Sequence, residues 1–157
     1  MDKKIKVIAY IRVNKIEQLE TGSGVHKQAW AIQQCCKEKG WELIHQYIDI
    51  GKSANSDKRP MFQEMIAAVK APDKDFSKII IYRLDRFSRN LFDFYKYLSV
   101  LKGNGVSLYS VSENTELPDN FLTEDIFSVI KSHPPNSSRN INFSAKKKGH
   151  KRNGQRN

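Results

Sequence analysis

The chain has 157 residues, 39% of them hydrophobic, which is enough for one compact domain with a real core and too few for a second full domain. No apolar run approaches the length of a membrane span, and the start MDKKIKV lacks the apolar core of a signal peptide, so the cytoplasm is the expected location and no insertion into a membrane is expected. The formal charge of +10 points instead to a polyanionic partner, with nucleic acid or an acidic membrane surface as the two classes it admits.

That charge is unevenly placed. The last acidic residue is Asp125, and the eight Lys or Arg beyond it leave residues 1–125 with 19 basic and 17 acidic side chains. The excess belongs to the end of the chain.

In chain order, Ile5–Val13 (IKVIAYIRV) is short and rich in β-branched and aromatic side chains, which predicts a buried strand. After a loop around Thr21–Gly24, the apolar positions Val25, Ala29, Ile32 and Cys36 recur at helical spacing, and Gly40 stands where a helix stops, so a helix is predicted over Val25–Lys39. Trp41–Ile48 reads as a strand. Pro60–Lys70 reads as a helix opened by proline in its first turn, and Ser77–Tyr82 as another buried strand. A further helix is predicted from about Ser88 to Lys102 with Gly103 behind it, then a strand at Val106–Val111 and a loop at Glu113–Asn120. Such alternation implies an α/β fold with a mostly parallel, four- to five-stranded sheet flanked by helices.

Phe121–Ser132 carries Leu122, Ile126, Val129 and Ile130 on one side of a predicted last helix, which Pro134 and Pro135 should end. Residues 136–157 are polar, basic and poor in large apolar side chains, and are expected to lack structure of their own. A domain over 1–133 and a basic tail over 134–157 follow. The tail residues Arg139, Lys146, Lys147, Lys148, Lys151 and Arg152 suit contacts along phosphates, without base readout; a solvated end that binds nothing is the plainer alternative.

Adjacent Cys35 and Cys36 cannot readily bridge each other and match no spaced ligand pattern, so they are read as reduced. The four histidines are scattered, which gives no support for a metal site, and Gly22-Ser-Gly24 is not a phosphate-binding signature after a strand, so no cofactor is expected.

In an open α/β sheet the working site lies beyond the carboxyl ends of the strands. Three segments have that address: Arg12, Asn14 and Gln18 after the first strand; Asp49-Ile-Gly-Lys-Ser53 with Arg59-Pro60 after the second; and Arg83-Leu-Asp85-Arg86-Phe-Ser88-Arg89-Asn90 after the third. Arg86 and Arg89, three apart at the predicted helix start, would share one side near its unpaired N–H groups. Guanidinium groups stay protonated and present forked donors to phosphate oxygens, so Arg12, Arg59, Arg86 and Arg89 would surround one phosphodiester. The bland alternative is that these arginines are solvated or paired with acids and that Asp85 caps a helix.

Tyr10-Ile-Arg12-Val13 with Gln18, then Gln28, Asp49-x-Gly51-x-Ser53, Arg59-Pro60, Leu84-Asp85-Arg86-x-Ser88-Arg89-Asn90, Gly105-Val106, Ser110 and Glu113 together resemble the serine recombinases, the resolvase, invertase and large serine integrase family, over roughly residues 5–130. The length before Gln28 and the run Gly40-Trp41-Glu42 look more like the large integrase branch. The resemblance implies double-stranded DNA as substrate, no metal, phosphate contacts from Arg12, Arg86 and Arg89, support from Asp85 and Arg59, and positioning by Gln18, Gln28 and Ser53. It also implies a homodimer or higher oligomer through a long last helix. In that family a serine directly after Arg-Val attacks the phosphate, forming a phosphoserine link and releasing a sugar hydroxyl.

Asn14 holds that place here, and a carboxamide has no hydroxyl to become a nucleophile. Ser23, Ser53 and Ser88 lie at other loop positions, and in-line attack tolerates little displacement. With Pro134-Pro135 interrupting the last helix, the expectation is a shortened or decayed member. Three readings remain open on sequence: an active recombinase domain, a cleavage-silent DNA- or partner-binding relic, and an unrelated flavodoxin-like domain.

Overall fold

The structure, a computed structural model, describes residues 2–13, 24–51, 58–88 and 90–117. The elements run β1 (Lys6–Val13), α1 (Val25–Lys39), β2 (Glu42–Ile50), α2 (Pro60–Lys70), β3 (Lys78–Ile81), α3 (Leu84–Phe87), α4 (Leu91–Gly103), β4 (Ser107–Ser110) and β5 (Thr115–Leu117). The sheet order is β2-β1-β3-β4-β5. β1 pairs in parallel with β2 and β3, and β3 with β4, whereas β5 lies antiparallel at the edge beside β4. The predicted α/β architecture with a mostly parallel sheet is therefore present.

Period-two alternation divides the central strands between two cores. Val7, Ala9 and Ile11 of β1, with Ile80 and Tyr109, face Ile32, Cys35 and Cys36 of α1. Ile8 and Tyr10, with Ile79, Ile81 and Leu108, face Phe62, Met65 and Val69 of α2, Phe87 of α3, and Phe94, Leu98 and Leu101 of α4. Both cysteines are free and buried, and burial pushes the Cys36 thiol up to about 11, which leaves it an inert core side chain.

Helix ends obey local chemistry. Gly40 takes the left-handed conformation at φ 68°, its N–H donates to Lys37 O, and Trp41 N–H returns to Cys36 O at 2.8 Å. Asn90 caps α4 by accepting from the amides of Phe92 and Asp93.

Two expectations are corrected. The helix predicted from about Ser88 to Lys102 starts three residues later, as α4, and is preceded by a one-turn helix, α3, that was not predicted, with extended backbone at Ser88 and Asn90 between them. The loop predicted over Glu113–Asn120 contains β5. The predicted helix over Phe121–Ser132 and the tail lie outside the described residues.

Candidate active site

β1 is followed by β2 on one side and, after α2, by β3 on the other, so the sheet reverses its winding between β1 and β3. A crevice beyond the carboxyl ends of the strands is expected at such a point. Arg12, next to last in β1, and the Asp85-Arg86 pair just after β3 meet there.

Arg12 is only 1% exposed. Its Nε donates to Arg86 O at 3.3 Å and its Nη2 to Asp85 O at 2.6 Å, while Arg86 Nη1 donates back to Arg12 O at 3.2 Å. The same Arg12 carbonyl also accepts from Gln28 Nε2 at 3.0 Å, which ties the first turn of α1 to the end of β1. Gln28 Oε1 is buried and has no hydrogen-bond partner among the described residues.

Arg59 is buried at the start of α2. Its guanidinium lies 3.7 Å from the centre of the Phe62 ring and donates from Nη1 to Phe87 O at 2.6 Å. Arg12 and Arg59 thus take the carbonyls of residues 85, 86 and 87, the orphan acceptors that a one-turn helix leaves at its C-terminal end. Charge-assisted bonds to carbonyls are the strong kind, so the two arginines brace α3 from below.

Asp49 fixes Arg59 in turn. From the end of β2 its carboxylate accepts from the amides of Met61 and Phe62 at 3.1 and 3.0 Å and from Tyr10 Oη at 2.9 Å. A buried acid on a neighbouring strand therefore caps α2, where the preceding residue, Arg59, offers no side-chain cap. Burial, ahead of the nearby charges, pushes the Tyr10 phenol well above its usual range, so it stays protonated as the donor. Gly51, at φ 72°, then turns the chain away with a backbone geometry that favours glycine.

The entrance to α3 is held from the far side: Glu113 Oε2 accepts from Leu84 N at 3.3 Å and from the Ser110 hydroxyl. On the rim, the Asp85 carboxylate pairs with Arg83 and lies 3.7 Å from Arg86 Nε, and its hydrogen bond with Arg83 raises that guanidinium further. Arg83 is 48% exposed and Arg86 is 15% exposed. Guanidinium groups outnumber carboxylates here, which leaves a net positive floor and rim.

Arg12, Gln28, Arg59, Asp85 and Arg86 are therefore brought together. Asn14, Gln18, Ser53 and Arg89 lie outside the described residues. One expectation needs correction: Arg86 does not stand at the start of α4, the long helix after β3. It sits in α3, and the first free amides of α4 are occupied by Asn90 rather than open to an anion. Asp85 likewise caps no helix; it is the second residue of α3. Sequence reasoning quoted Asp49 and Glu113 as motif positions without assigning them work, and their capping partners are distant in sequence. Ser88, weighed as a substitute nucleophile, is buried and donates its hydroxyl to Asn90 O at 3.0 Å.

A family model described as Resolvase, N terminal domain, matches residues 7–156. The uncharacterized immunity region protein 3 of Bacillus phage phi105 is 33% identical over 61 residues, 39% of this chain and 74% of that protein. The N-terminal catalytic domain of TP901-1 integrase is similar in structure with a TM-score of 0.70 at 26% identity, over 81% of this chain and 94% of that one. A resolvase family site-specific recombinase from Streptococcus pneumoniae has a TM-score of 0.70 at 28% identity, over 82% of this chain and 87% of that one. These likenesses set aside the flavodoxin-like alternative. With the family match running through nearly the whole described sheet and its guanidinium cluster, the chain belongs to the serine recombinases and carries their resolvase-type catalytic domain.

Proposed function

We propose that this chain binds double-stranded DNA through one phosphodiester at the mouth of the β1/β3 crevice and does not cut it. The observation that carries the reading is Asn14, which directly follows Arg12-Val13 where the family places its serine. Phosphoryl transfer needs electrostatic stabilisation and an aligned nucleophile. The cluster supplies the first, and a carboxamide cannot supply the second.

In this reading Arg86 and Arg89 meet phosphate oxygens, Arg12 and Arg59 hold α3 beneath them, Asp85 orients Arg86, and Gln28 with Gln18 and Ser53 shapes the β1 end. The basic residues from Arg139 to Arg156 add phosphate contacts, and the Phe121–Ser132 segment supplies self-association. The protein acts in the cytoplasm, where a phage or other mobile element would meet its target.

The test is a covalent trap: the full chain is incubated with intact and nicked duplex, and protein–DNA adducts are sought by denaturing gel and peptide mapping. Retarded complexes without adduct are expected. Asn14→Ser is expected to give an adduct at residue 14 without full strand exchange, because the helix predicted over Phe121–Ser132 is expected to stop at Pro134-Pro135. An adduct of the unaltered chain on Ser23, Ser53 or Ser88 overturns the silent reading, and absence of any DNA complex at low salt overturns DNA binding.

A further inference from the structure

We propose that the outward face of α1 is a second DNA-contact surface, with Trp30 at its centre and Lys27 and Lys37 gripping backbone phosphates on either side. The inference rests on the reading that the guanidinium cluster binds a DNA phosphate, and it extends that contact along the protein.

Three observations meet on this helix. Trp30 is 65% exposed, more than any other large hydrophobic side chain among the described residues. Scattered exposed apolar residues are ordinary. Tryptophan is a different matter, because it is the largest apolar side chain and carries one N–H that can only donate. Its surroundings are selective as well. His26, Trp30, Gln33 and Lys37 recur at intervals of four, three and four, so they form one stripe, and Lys27 lies three residues before Trp30 on its flank; all are exposed. The helix's single carboxylate, Glu38, is turned about 100° away from Lys37. A solvated helix face normally interleaves both signs; this one offers cations, amides and an indole.

The stripe is also continuous with the site. Gln28, on the opposite side of the same turn, bonds to Arg12 O, and Lys27 Nζ lies 5.9 Å from the centre of the Tyr82 ring at the end of β3. The amino end of α1 is thus locked to the crevice, and the stripe leads away from it for about 16 Å, the axial rise of roughly five base pairs. A duplex whose phosphate sits at the crevice would run its backbone over the stripe. The indole N–H and its ring then meet a phosphate oxygen and a deoxyribose, while the two lysines release counterions. Charge complementarity selects a polyanion over an apolar partner, and the adjoining phosphate site selects DNA over an acidic protein.

Trp30 and Trp41 are the protein's two tryptophans, and Trp41 packs edge-on against Tyr109 on the far stretch of the sheet, so emission reports on Trp30 with an internal reference. The full chain is titrated with a mixed-sequence duplex of about 20 base pairs while emission and acrylamide quenching are followed. DNA is expected to shield Trp30 and shift its emission, a change lost in Trp30→Phe. Trp30→Ala should weaken binding about five- to tenfold, and Lys27→Gln with Lys37→Gln should lower the salt slope by roughly two. Unchanged circular dichroism and Trp41 emission show that these surface variants fold.

If the duplex binds with unaltered Trp30 emission, affinity and slope, the α1 surface is not a DNA contact, while DNA binding by the chain stands. If no duplex binds at low salt, both readings fall. Shielding of Trp30 by raising the protein concentration without DNA, with no further change on adding duplex, would assign the face to a second copy and overturn the proposal.

Discussion

At the scale of single residues, the site is organised by groups whose work is to hold other groups. Asp49 shows this most sharply, because its carboxylate accepts from one phenol and two helix amides in a buried place. Asp49→Ala removes the cap and leaves the Tyr10 hydroxyl and two N–H groups unsatisfied, a loss of about 3 kcal/mol expected in urea unfolding. Tyr10→Phe leaves both amide bonds in place and should cost only about 1 kcal/mol. Equal losses in the two variants would show that the phenol, not the cap, is the main contribution. None of this was readable from residue types alone: the sequence marks Asp49 as part of a motif, but a cap normally sits next to its helix, and this one acts across ten residues of chain. Arg12 taught the reverse lesson. Its position at the end of a buried strand was evident, whereas its burial against the Asp85 and Arg86 carbonyls follows from the crowding of β1 against α3.

At the scale of elements, sequence reasoning succeeded where the stop signal is local. Gly40 and Pro60 set the ends of α1 and α2 at Lys39 and Pro60, as their backbone preferences require. It failed between β3 and α4, where both Ser88 and Asn90 are residue types that cap helices. The choice between them is made by tertiary bonds: Arg12, Arg59 and Glu113 stabilise a separate turn at Leu84–Phe87, and the next helix must start afresh. β5 was missed because three residues at a sheet edge give no periodic signal. The two-helix arrangement makes a comparative prediction. Asn90→Ala should cost about 1 kcal/mol by thermal or urea unfolding, as for a lost N-cap, while Ser88→Ala, which removes one bond to a neighbouring carbonyl, should cost clearly less. The opposite order would restore Ser88 as the cap and a continuous helix.

At the scale of the whole molecule, charges are sorted between the two ends of the sheet. At the amino ends of β3 and β4, Lys78 bonds to Ser107 and Glu116 beside Trp41. Burial pushes the Glu116 carboxyl up, but the Lys78 ammonium and Ser107 hydroxyl outweigh it and hold the group below its ordinary value. Its folded-state pKa is thus the lower one, so the stabilisation is complete above the ordinary glutamate value of about 4.3 and is lost as pH falls through the folded value. Because Glu116 is over a third exposed, the gain is under about 1 kcal/mol. Unfolding curves of the protein and of Glu116→Gln should converge as pH drops from 5 to 3, and a constant gap would refute the linkage.

The opposite end of the sheet carries the guanidinium cluster, and the chain beyond Asp125 carries the net charge. If the basic residues from Arg139 to Arg156 neutralise phosphates, each adds about 0.9 to the slope of log affinity against log salt, whatever the base sequence. Changing Lys146, Lys147, Lys148, Lys151 and Arg152 to glutamine should therefore flatten that slope by up to about 4.5 and weaken all duplexes alike. A slope that stays the same would confine DNA binding to the folded domain. A loss confined to particular sequences would mean that these residues read bases, which lysines and arginines placed only along a backbone do not do.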